Sequence, residues 1–321
     1  RFMGSPSADI ERQLSMTSAE AVDYNPQHFM FIGGRKVRAL EAEFAKRFGA
    51  PYAIAVNSAT SGLMTALGAC RLGPGDEVIT TCLSFNATAV SILAFSSIPV
   101  FVDVHPETLC LDPEEIRRKI TPKTKAILVV HLLGRSADMD AINKIAAEHK
   151  LQVIEDCSQS PGTAYKGTQV GSVAPIGVFS LQDTKNIVAG EGGVIVTRDA
   201  ALARRCRLIR NHGESIPGAD ATPEELCNIV GFNFRMTELT AAVALAQIKK
   251  LSRNNQQRNV NARYLAQRLA KLPHLRIAEG FAADVVYGAG DGPYSVTAAD
   301  LDDDGDLDLA VANFGHYPSY L

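Results

Sequence analysis

The sequence lacks three patterns, and each absence excludes a class of protein. It has no apolar run of membrane-spanning length and no evident signal peptide, so we expect a cytoplasmic protein without a membrane partner. It has no run of basic residues and no base-stacking motif, so nothing predicts nucleic-acid binding. Its six cysteines are scattered without the spacing of metal ligands, which is typical of buried free thiols in a reducing compartment.

Positive charge is missing from one end of the chain. Residues 281–321 contain eight Asp and no Lys or Arg, which is a net charge of −8. Because the whole chain has a formal charge of −3, the first 280 residues carry +5. This break predicts a final segment of different character from the rest. The overall composition, 46% hydrophobic and 21% charged, is that of a globular protein with a large core.

The stretch 151–197 carries the strongest chemical signal. Three short apolar runs, at 152–154, 177–179 and 194–196, have the length and β-branched content of buried strands. Asp156 and Gln159 follow the first run, and Ser180 and Lys185 follow the second. Because ligands of open α/β sheets bind outside the carboxyl ends of strands, we expect these side chains to share a site.

A lysine, a carboxylate and a hydroxyl at one edge of a sheet match the needs of pyridoxal 5′-phosphate (PLP). That cofactor needs a lysine for a Schiff base and an anion that keeps its pyridine nitrogen protonated. Lys185 would supply the first, Asp156 the second, and Ser180 part of the donor set around the phosphate. The alternative is a solvated loop lysine and an aspartate that caps a helix. The place of Lys185 between an apolar strand and the Gly-rich turn 190–193 favours the cofactor site.

The chain before residue 151 alternates strand-like and helical patterns. Strand-like runs at 52–56, 78–80, 99–104 and 126–130 are separated by helical spacing, which predicts a mostly parallel sheet with helices on both faces. The polar segment 57–62 stands between a strand and a helix. It fits a phosphate cradle at a helix N-terminus, and a simple N-cap fits equally well.

Four segments of the chain together resemble one family. They are VIEDCSQSPGTAYKG, GVFSLQDTKNIVAGEGGVIVT, RNHG and GFNFRMTELTAAVALAQIKKL. They resemble the DegT/DnrJ/EryC1/StrS family of PLP-dependent sugar aminotransferases over about residues 33–280. The resemblance implies the type I aminotransferase fold, an α/β fold with a mostly parallel seven-stranded sheet flanked by helices. It also implies a homodimer with shared active sites that moves an amino group from glutamate or glutamine to a keto-sugar, usually nucleotide-linked.

The resemblance implies roles for individual residues, with Lys185 and Asp156 as the catalytic pair. The implied cofactor-binding residues are Thr60, Ser61, Phe85, Asp156, Gln159, Ser180, Lys185 and Asn233. Phe85 stands where the family has an aromatic ring over the cofactor, and a core position is the alternative. Asn233 and Arg235 resemble residues that reach the cofactor phosphate of the neighbouring subunit, although spacing alone makes Asn233 a turn residue. His131 would lie near the site, and a satisfied buried histidine is equally consistent with the sequence.

The resemblance stops near residue 280. We therefore predict an N-terminal arm (1–30), a large PLP-binding domain (31–252), the start of a small domain (253–280) and an acidic segment (281–321). The acidic segment resembles a VCBS/FG-GAP repeat of β-propeller proteins, which implies that the family's small C-terminal domain is truncated or replaced. Four of its aspartates have the spacing of ligands in a calcium loop, with Gly305 at the turn. They are Asp300, Asp302, Asp304 and Asp308. A solvated acidic turn is the alternative.

The sequence thus predicts a PLP-dependent sugar aminotransferase. Lysine at position 185, where dehydratase relatives have histidine, favours amino transfer. Two alternatives stay open because of the atypical C-terminal segment: a catalytically impaired or regulatory PLP-fold protein, and a fusion that carries a calcium-binding repeat.

Overall fold

The computed structural model describes residues 33–213 and 229–271, together with the two strands Ser295–Ala299 and Asp308–Ala312. The described helices are α1 (Arg35–Phe48), α2 (Ala59–Ala69), α3 (Ala87–Leu93), α4 (Pro113–Lys119), α5 (Met139–His149), α6 (Ala200–Arg210), α7 (Glu238–Ile248) and α8 (Leu251–Leu269). The described strands are β1 (Tyr52–Val56), β2 (Glu77–Thr81), β3 (Ile98–Val102), β4 (Thr124–Val130), β5 (Gln152–Asp156), β6 (Ala164–Tyr165), β7 (Thr168–Gln169), β8 (Ile176–Ser180), β9 (Gly193–Thr197), β10 (Ser295–Ala299) and β11 (Asp308–Ala312). A 3₁₀ turn spans Leu132–Gly134.

Seven strands form one sheet in the order β1–β9–β8–β5–β4–β2–β3. β9 runs antiparallel to both of its neighbours, and every other pair in this sheet is parallel. All strands except β9 therefore end at the same edge of the sheet. The mostly parallel seven-stranded sheet that we predicted is confirmed, and the reversed direction of β9 is the feature that the local sequence patterns did not indicate.

Helices cover both faces of the sheet, and the alternation of side chains along the strands explains why. On one face, α1 and α7 pack over alternate residues of β1 and β9, which are Ala53, Ala55, Val194 and Val196. On the other face, α2 and α6 pack over the residues between them, which are Ile54, Val56 and Ile195. Because both faces of these strands are buried, they read as continuous apolar runs rather than as alternating patterns.

Two charged side chains satisfy the outer backbone groups of β1, which lies at an edge of the sheet. Glu41 Oε1 accepts a hydrogen bond from the Ala55 N–H at 2.9 Å. Arg210 Nη1 donates to the Ala55 carbonyl at 3.0 Å and to Glu41 Oε1 at 2.7 Å. Unpaired backbone groups at a strand edge cost free energy when they are buried and invite pairing when they are exposed. The Glu41–Arg210 pair therefore satisfies both backbone groups of Ala55 at this edge of the sheet.

Most predicted elements agree with the structure, and the differences lie at the ends of helices. Helical spacing in the sequence predicts helices at 63–72, 113–119, 237–251 and 254–272. In the structure α2 ends at Ala69, α7 at Ile248 and α8 at Leu269, each three residues earlier than predicted. β1 and α4 have the predicted bounds. α2 begins at Ala59 rather than at residue 63, because Ser58 caps it there. α8 begins at Leu251 rather than at residue 254, so the predicted domain boundary at 252/253 falls inside its first turn. The patterns that we weighed indicated neither α3 nor the short β6–β7 hairpin.

Several predictions concern residues outside the described part of the chain. The N-terminal arm (1–30) lies entirely outside it. In the acidic segment only β10 and β11 are described, and they overlap the strand-like runs that the sequence has at 294–297 and 309–311. The two strands pair antiparallel with Ala299 opposite Asp308. Within the residues that the structure describes, no helix is both long enough and apolar enough to cross a membrane.

Candidate active site

The carboxyl ends of the parallel strands bring the predicted polar residues to one edge of the sheet. Asp156 is the last residue of β5, and Ser180 is the last residue of β8, its neighbour in the sheet. Gly193, the first residue of β9, lies between Ser180 and Val56, the last residue of β1. Three strand ends and the start of β9 therefore meet at the edge where Lys185 follows β8.

The Asp156 carboxylate is buried and held from two sides. It is 4% exposed. Thr88 Oγ1 donates to Asp156 Oδ2 at 3.0 Å, and the Ser158 N–H donates to Oδ1 at 3.1 Å. Thr88 Oγ1 also lies 2.8 Å from Ser84 Oγ. The residues that directly follow Asp156 form a turn and not a helix, so the alternative of a helix N-cap is wrong.

Lys185 lies on the loop that joins β8 to β9. The Leu181 N–H donates to the Gly192 carbonyl at 2.9 Å and closes the base of this loop. Burial lowers the pKa of the half-buried Lys185 amine, whereas the carboxylates of Asp156 and Asp183 act in the opposite direction. The Asp156 carboxylate thus lies near enough to the half-buried lysine for its charge to act on the pKa of the amine.

The start of α2 lies against the start of β9. Ser58 caps the helix, because its Oγ accepts from the Ser61 N–H at 3.1 Å, and Thr60 and Ser61 stand in the first turn. A Cβ atom on Gly193 would lie 2.7 Å from the Ala59 nitrogen, so only glycine allows this close approach. The N–H groups of a first helical turn have no partner inside the helix and attract anions. The predicted N-cap is therefore confirmed, and it stands at a helix start, where the helix dipole favours an anion.

Phe85 and Gln159 have different surroundings. Phe85 is 73% exposed, so the alternative of a core position is wrong. Its carbonyl accepts from the N–H of Thr88, the residue that holds Asp156. Gln159 is half-buried, and its Oε1 accepts from the Leu133 N–H at 3.2 Å. The Phe85 side chain is therefore exposed on a backbone segment that is bonded to Thr88, whereas the Gln159 side chain is bonded to the 3₁₀ turn.

The segment 233–235 lies beside the start of α2 of its own chain. The Asn57 N–H donates to the Phe234 carbonyl at 2.8 Å, and Asn233 forms a β-bridge with Asn211. Arg235 Nη1 donates to Asn211 Oδ1 at 2.5 Å. The Asn233 residue itself is exposed. Asn233 is thus extended and bridged rather than a turn residue, and its exposed position leaves it accessible to another molecule.

A second buried polar cluster, which the sequence did not predict, lies behind Asp156. The Glu155 carboxylate is 0% exposed and accepts from His131 Nε2 at 2.8 Å, from the Gly171 N–H at 2.7 Å and from the Ala174 N–H at 2.6 Å. His131 Nδ1 accepts from the Ala137 N–H at 3.2 Å, which assigns the ring proton to Nε2. Both ring nitrogens of His131 therefore have partners, and the satisfied buried histidine is confirmed.

Cys157 completes this cluster. The ligand atoms of His131, Glu155 and Cys157 lie within 4.8 Å of one another. Those of His131 and Glu155 are already engaged in hydrogen bonds, so we interpret the cluster as a structural network around the end of β5. Burial, and then the charges of Glu155 and Asp156, raise the pKa of the Cys157 thiol well above 9.0. Cys157 is therefore a neutral buried thiol, as its sequence context predicts.

Thr88 is the site residue that sequence reasoning missed. It stands in the segment CLSFNAT at 82–88, three residues after Phe85. A hydroxyl residue in the first turn of a helix reads as an ordinary capping residue. Its contact with Asp156 joins α3 to β5 across a gap of 68 residues in the sequence, and no local pattern reports such a contact.

The structure does not test the predicted calcium ligands. Asp300, Asp302 and Asp304 fall outside the described residues. Asp308 begins β11, of which only the backbone is described.

We expect the amine of Lys185 to titrate below the ordinary lysine value of 10.5, because burial disfavours its charged form. Competitive acetylation of the cofactor-free protein across a pH series, read peptide by peptide by mass spectrometry, measures this directly. Lys166 is the internal control: its contact with Asp140 raises its pKa, so its acetylation midpoint should lie higher. A midpoint for Lys185 at or above that of Lys166 would contradict the buried site.

The comparisons with known proteins agree on one family. The profile of the DegT/DnrJ/EryC1/StrS aminotransferase family matches residues 13–285. Over 240 residues the chain is 40% identical to an L-glutamine:2-deoxy-scyllo-inosose aminotransferase of Streptomyces fradiae, a match that covers 73% of this chain and 57% of the relative. The chain therefore spans little more than half the length of that relative.

Solved structures give the same result. The structure of DesV from S. venezuelae, in complex with a ketimine intermediate, superposes with a TM-score of 0.76 at 32% identity and covers 89% of this chain and 73% of DesV. The structure of NtdA from Bacillus subtilis with its bound cofactor PMP gives a TM-score of 0.75 at 32% identity, with 93% and 67% covered. On the family match, the relatives and the shared fold, this chain belongs to the DegT/DnrJ/EryC1/StrS aminotransferase family.

Proposed function

We propose that this chain carries the PLP-binding site of an aminotransferase that moves an amino group from glutamine or glutamate to a keto-sugar. One observation supports the proposal most directly. A half-buried lysine with a lowered pKa lies in electrostatic contact with a buried carboxylate, at the shared edge of adjacent strands. Perturbed ionisable groups of this kind concentrate at catalytic sites.

The chemistry of the donor set fits PLP, which is the cofactor expected for this family. Lys185 Nζ would hold the cofactor covalently, and Asp156 would hydrogen-bond its pyridine nitrogen. The start of α2 with Thr60 and Ser61, together with Ser180, would bind the phosphate, because Gly193 lets the helix start approach the strand ends. PLP supplies the electron sink that stabilises negative charge on the reacting carbon of the substrate.

The residues of the chain then have separate tasks. The Lys185 amine, displaced by the amino donor, would take the proton from the donor carbon and return it on the cofactor side. Burial favours the uncharged form of the amine that this step requires. Thr88 and the Ser158 N–H hold the Asp156 carboxylate in one orientation, so that its charge stays aimed at the pyridine nitrogen. Phe85, exposed beside Thr88, would stack on the ring and set its tilt.

The second subunit belongs to the same proposal. Asn233 is exposed and therefore accessible to a second copy of the chain. Asn233 and Arg235 of one copy would then reach the cofactor phosphate that the second copy holds. The functional unit would accordingly be a homodimer with shared active sites. We also retain the division into a large domain (31–252) and the start of a small one (253–280) as part of this proposal.

The name of a relative suggests which amino donor and which class of acceptor to test. The relative from S. fradiae is named for L-glutamine as donor and 2-deoxy-scyllo-inosose as acceptor. We therefore propose L-glutamine or L-glutamate as the donor here. The acceptor would be a polyhydroxylated ketone, and the nucleotide-linked keto-sugar that the sequence resemblance implies is our first choice.

Absorption spectroscopy with defined substrates tests this function. We expect the purified chain to show a visible band on addition of PLP, and this band to bleach with L-glutamine or L-glutamate as the cofactor takes up the amino group. A nucleotide-linked keto-sugar should then restore the band and yield an amino sugar detectable by mass spectrometry. A band that ignores both donors would instead support the impaired or regulatory alternative, and absence of any band would overturn the proposal.

The calcium loop is a separate proposal. The antiparallel pairing of β10 with β11 is consistent with a hairpin around the acidic loop, as in the repeat that the sequence resembles, and not with the two helices of an EF-hand. Calorimetric titration of the whole chain with Ca²⁺ tests it, and no heat above that of dilution would contradict it.

A further inference from the structure

One buried amide, that of Asn255 on α8, connects the two segments that carry Lys185 and Asp156. Asn255 Oδ1 accepts from Asn186 Nδ2 at 2.8 Å, and Asn186 directly follows Lys185 in the chain. Asn255 Nδ2 donates to the Pro161 carbonyl at 3.0 Å, in the turn region that follows Asp156. Both asparagines are almost completely buried, at 6% and 3% exposure.

We call the contacts of Asn255 with Asn186 and with Pro161 the Asn255 bridge, and two neighbouring residues support it. A Cβ atom on Gly162 would lie 2.7 Å from Asn255 Nδ2, and Gly162 has a φ of +94° that other residues rarely adopt. Glycine at this position therefore lets α8 approach the turn at 161–162. On the other side, Arg258 Nη1, one turn further along α8, donates to Asn186 Oδ1 at 3.2 Å. The Asn186 amide is thus held by two residues of the same helix.

The Pro161 end of the bridge is equally well anchored. Ser160 Oγ donates to the His131 carbonyl at 2.6 Å and accepts from the Gly134 N–H at 3.1 Å. The His131 N–H donates to the Asp156 carbonyl at 3.1 Å. Pro161 is therefore part of a connected backbone frame around the end of β5, and Asn255 ties the residue next to Lys185 to this frame.

We propose that Asn255 is a positioning residue, which sets the place of the Lys185 amine relative to the Asp156 carboxylate and couples that place to helix α8. The inference rests on the proposed function, because it assigns Asn255 to the same reaction. Asn255 does not touch the reacting groups. It acts on Lys185 through Asn186, so movement of α8 would reach the lysine through the Asn186 side chain, with Arg258 as a second contact from the same helix.

Removal of the bridge should let the Lys185 loop move toward water. Lys185 would lose part of the burial that lowers its pKa, so its acetylation midpoint in the cofactor-free protein should rise in Asn255→Ala. We expect a rise of about 0.5 unit or more, which one pH series resolves. In the loaded protein, kcat of the reaction with the amino donor should fall by about tenfold with little change in KM, because a small misplacement of a reacting group slows chemistry more than binding.

Matched variants separate positioning from general loss of stability. Asn261 lies on the same helix, where its Oδ1 accepts from Gln257 Nε2 at 3.0 Å on the exposed side, so Asn261→Ala removes an amide of the same kind without touching the bridge. Asn186→Ala breaks the bridge from the other end. Asn186→Ala also removes the contact with Arg258, so it is the more severe of the two single variants. If the bridge carries the effect, the double variant Asn186→Ala/Asn255→Ala should shift the Lys185 midpoint no further than Asn186→Ala alone.

The outcomes are distinct. A raised Lys185 midpoint in the two bridge variants, with wild-type behaviour in Asn261→Ala, supports the inference; should Asn255→Ala fail to fold, Asn186→Ala carries the test. Unchanged midpoints in the bridge variants, or fully additive shifts, overturn it. Loss of the PLP band in the wild-type chain would instead overturn the proposed function, and the acetylation result on the cofactor-free protein does not depend on that band.

Discussion

Lys185→Ala is expected to abolish both the visible PLP band and the conversion of the cofactor by L-glutamine. The loss should reach about 10⁴-fold or more in rate, since the substitution removes the covalent attachment point and the proton carrier together. The fold should persist, because Lys185 lies on a loop outside the helices and strands of the sheet, closed by backbone hydrogen bonds that the substitution leaves in place. Stopped-flow absorption with the amino donor measures the rate, and circular dichroism checks the fold.

Lys166→Ala is the matched control for this experiment. Lys166 is an exposed lysine beside the β6–β7 hairpin, where it forms an ion pair with Asp140 on the surface. Surface ion pairs contribute little to stability, so this variant should keep the band and the rate. Turnover by Lys185→Ala close to the wild-type rate would show that another amine holds the cofactor, and the assignment of the site would be wrong.

Asp156→Asn is expected to keep the fold and lose most of the activity. The amide has nearly the shape of the carboxylate. Its oxygen can still accept from the Ser158 N–H, and its NH2 group can donate to Thr88 Oγ1, because a hydroxyl both donates and accepts. It carries no charge, so it cannot stabilise a proton on the pyridine nitrogen. Removal of one preorganised electrostatic contact costs about 10²–10³ in kcat, and we expect a loss of this size.

Asp183→Asn makes the same change of charge near the same lysine and provides the control. Asp183 is exposed, and like Asp156 it acts to raise the pKa of Lys185. If Asp156 acts only through the charge of the lysine, the two variants should lose similar activity. If it holds the pyridine nitrogen, as we propose, Asp183→Asn should stay within a few-fold of the wild type. Steady-state measurement of kcat for both variants at one pH distinguishes the two explanations. Equal losses of kcat would refute the role assigned to Asp156.

The neighbouring acids Glu155 and Asp156 show why sequence order alone does not assign roles. They are adjacent on β5 and therefore point to opposite faces of the sheet. Glu155 is enclosed by His131 and two backbone N–H groups, and Asp156 is held by a hydroxyl and a backbone N–H at the strand end, in electrostatic contact with Lys185. The Glu155 carboxylate is held in a structural network, and the Asp156 carboxylate is the one that we propose to bind the cofactor.

The sequence by itself determined the elements of the sheet and the candidate lysine and carboxylate. Runs such as 52–56 and 152–154 are continuously apolar because both of their faces are buried. The candidate residues stand at or shortly after strand ends: Asp156 ends β5, and Lys185 follows β8 by five residues. Apolar runs and the polar residues at their ends are local patterns, because they involve only residues that are close together in the chain. A single sequence is therefore sufficient to detect them.

Only the tertiary structure decided which distant groups meet. The reversal of β9, the contact of Thr88 with Asp156 and the enclosure of Glu155 by His131 join residues far apart in the chain. Each of these contacts depends on how whole helices and strands pack, and not on the local propensity of a residue for helix or strand. Amide and hydroxyl side chains are also common on protein surfaces, so their presence in a sequence does not indicate which residue they contact. The bridge from Asn255 to Asn186 and Pro161 has the same origin: it exists because α8 packs close enough to two loops for one side chain to reach both.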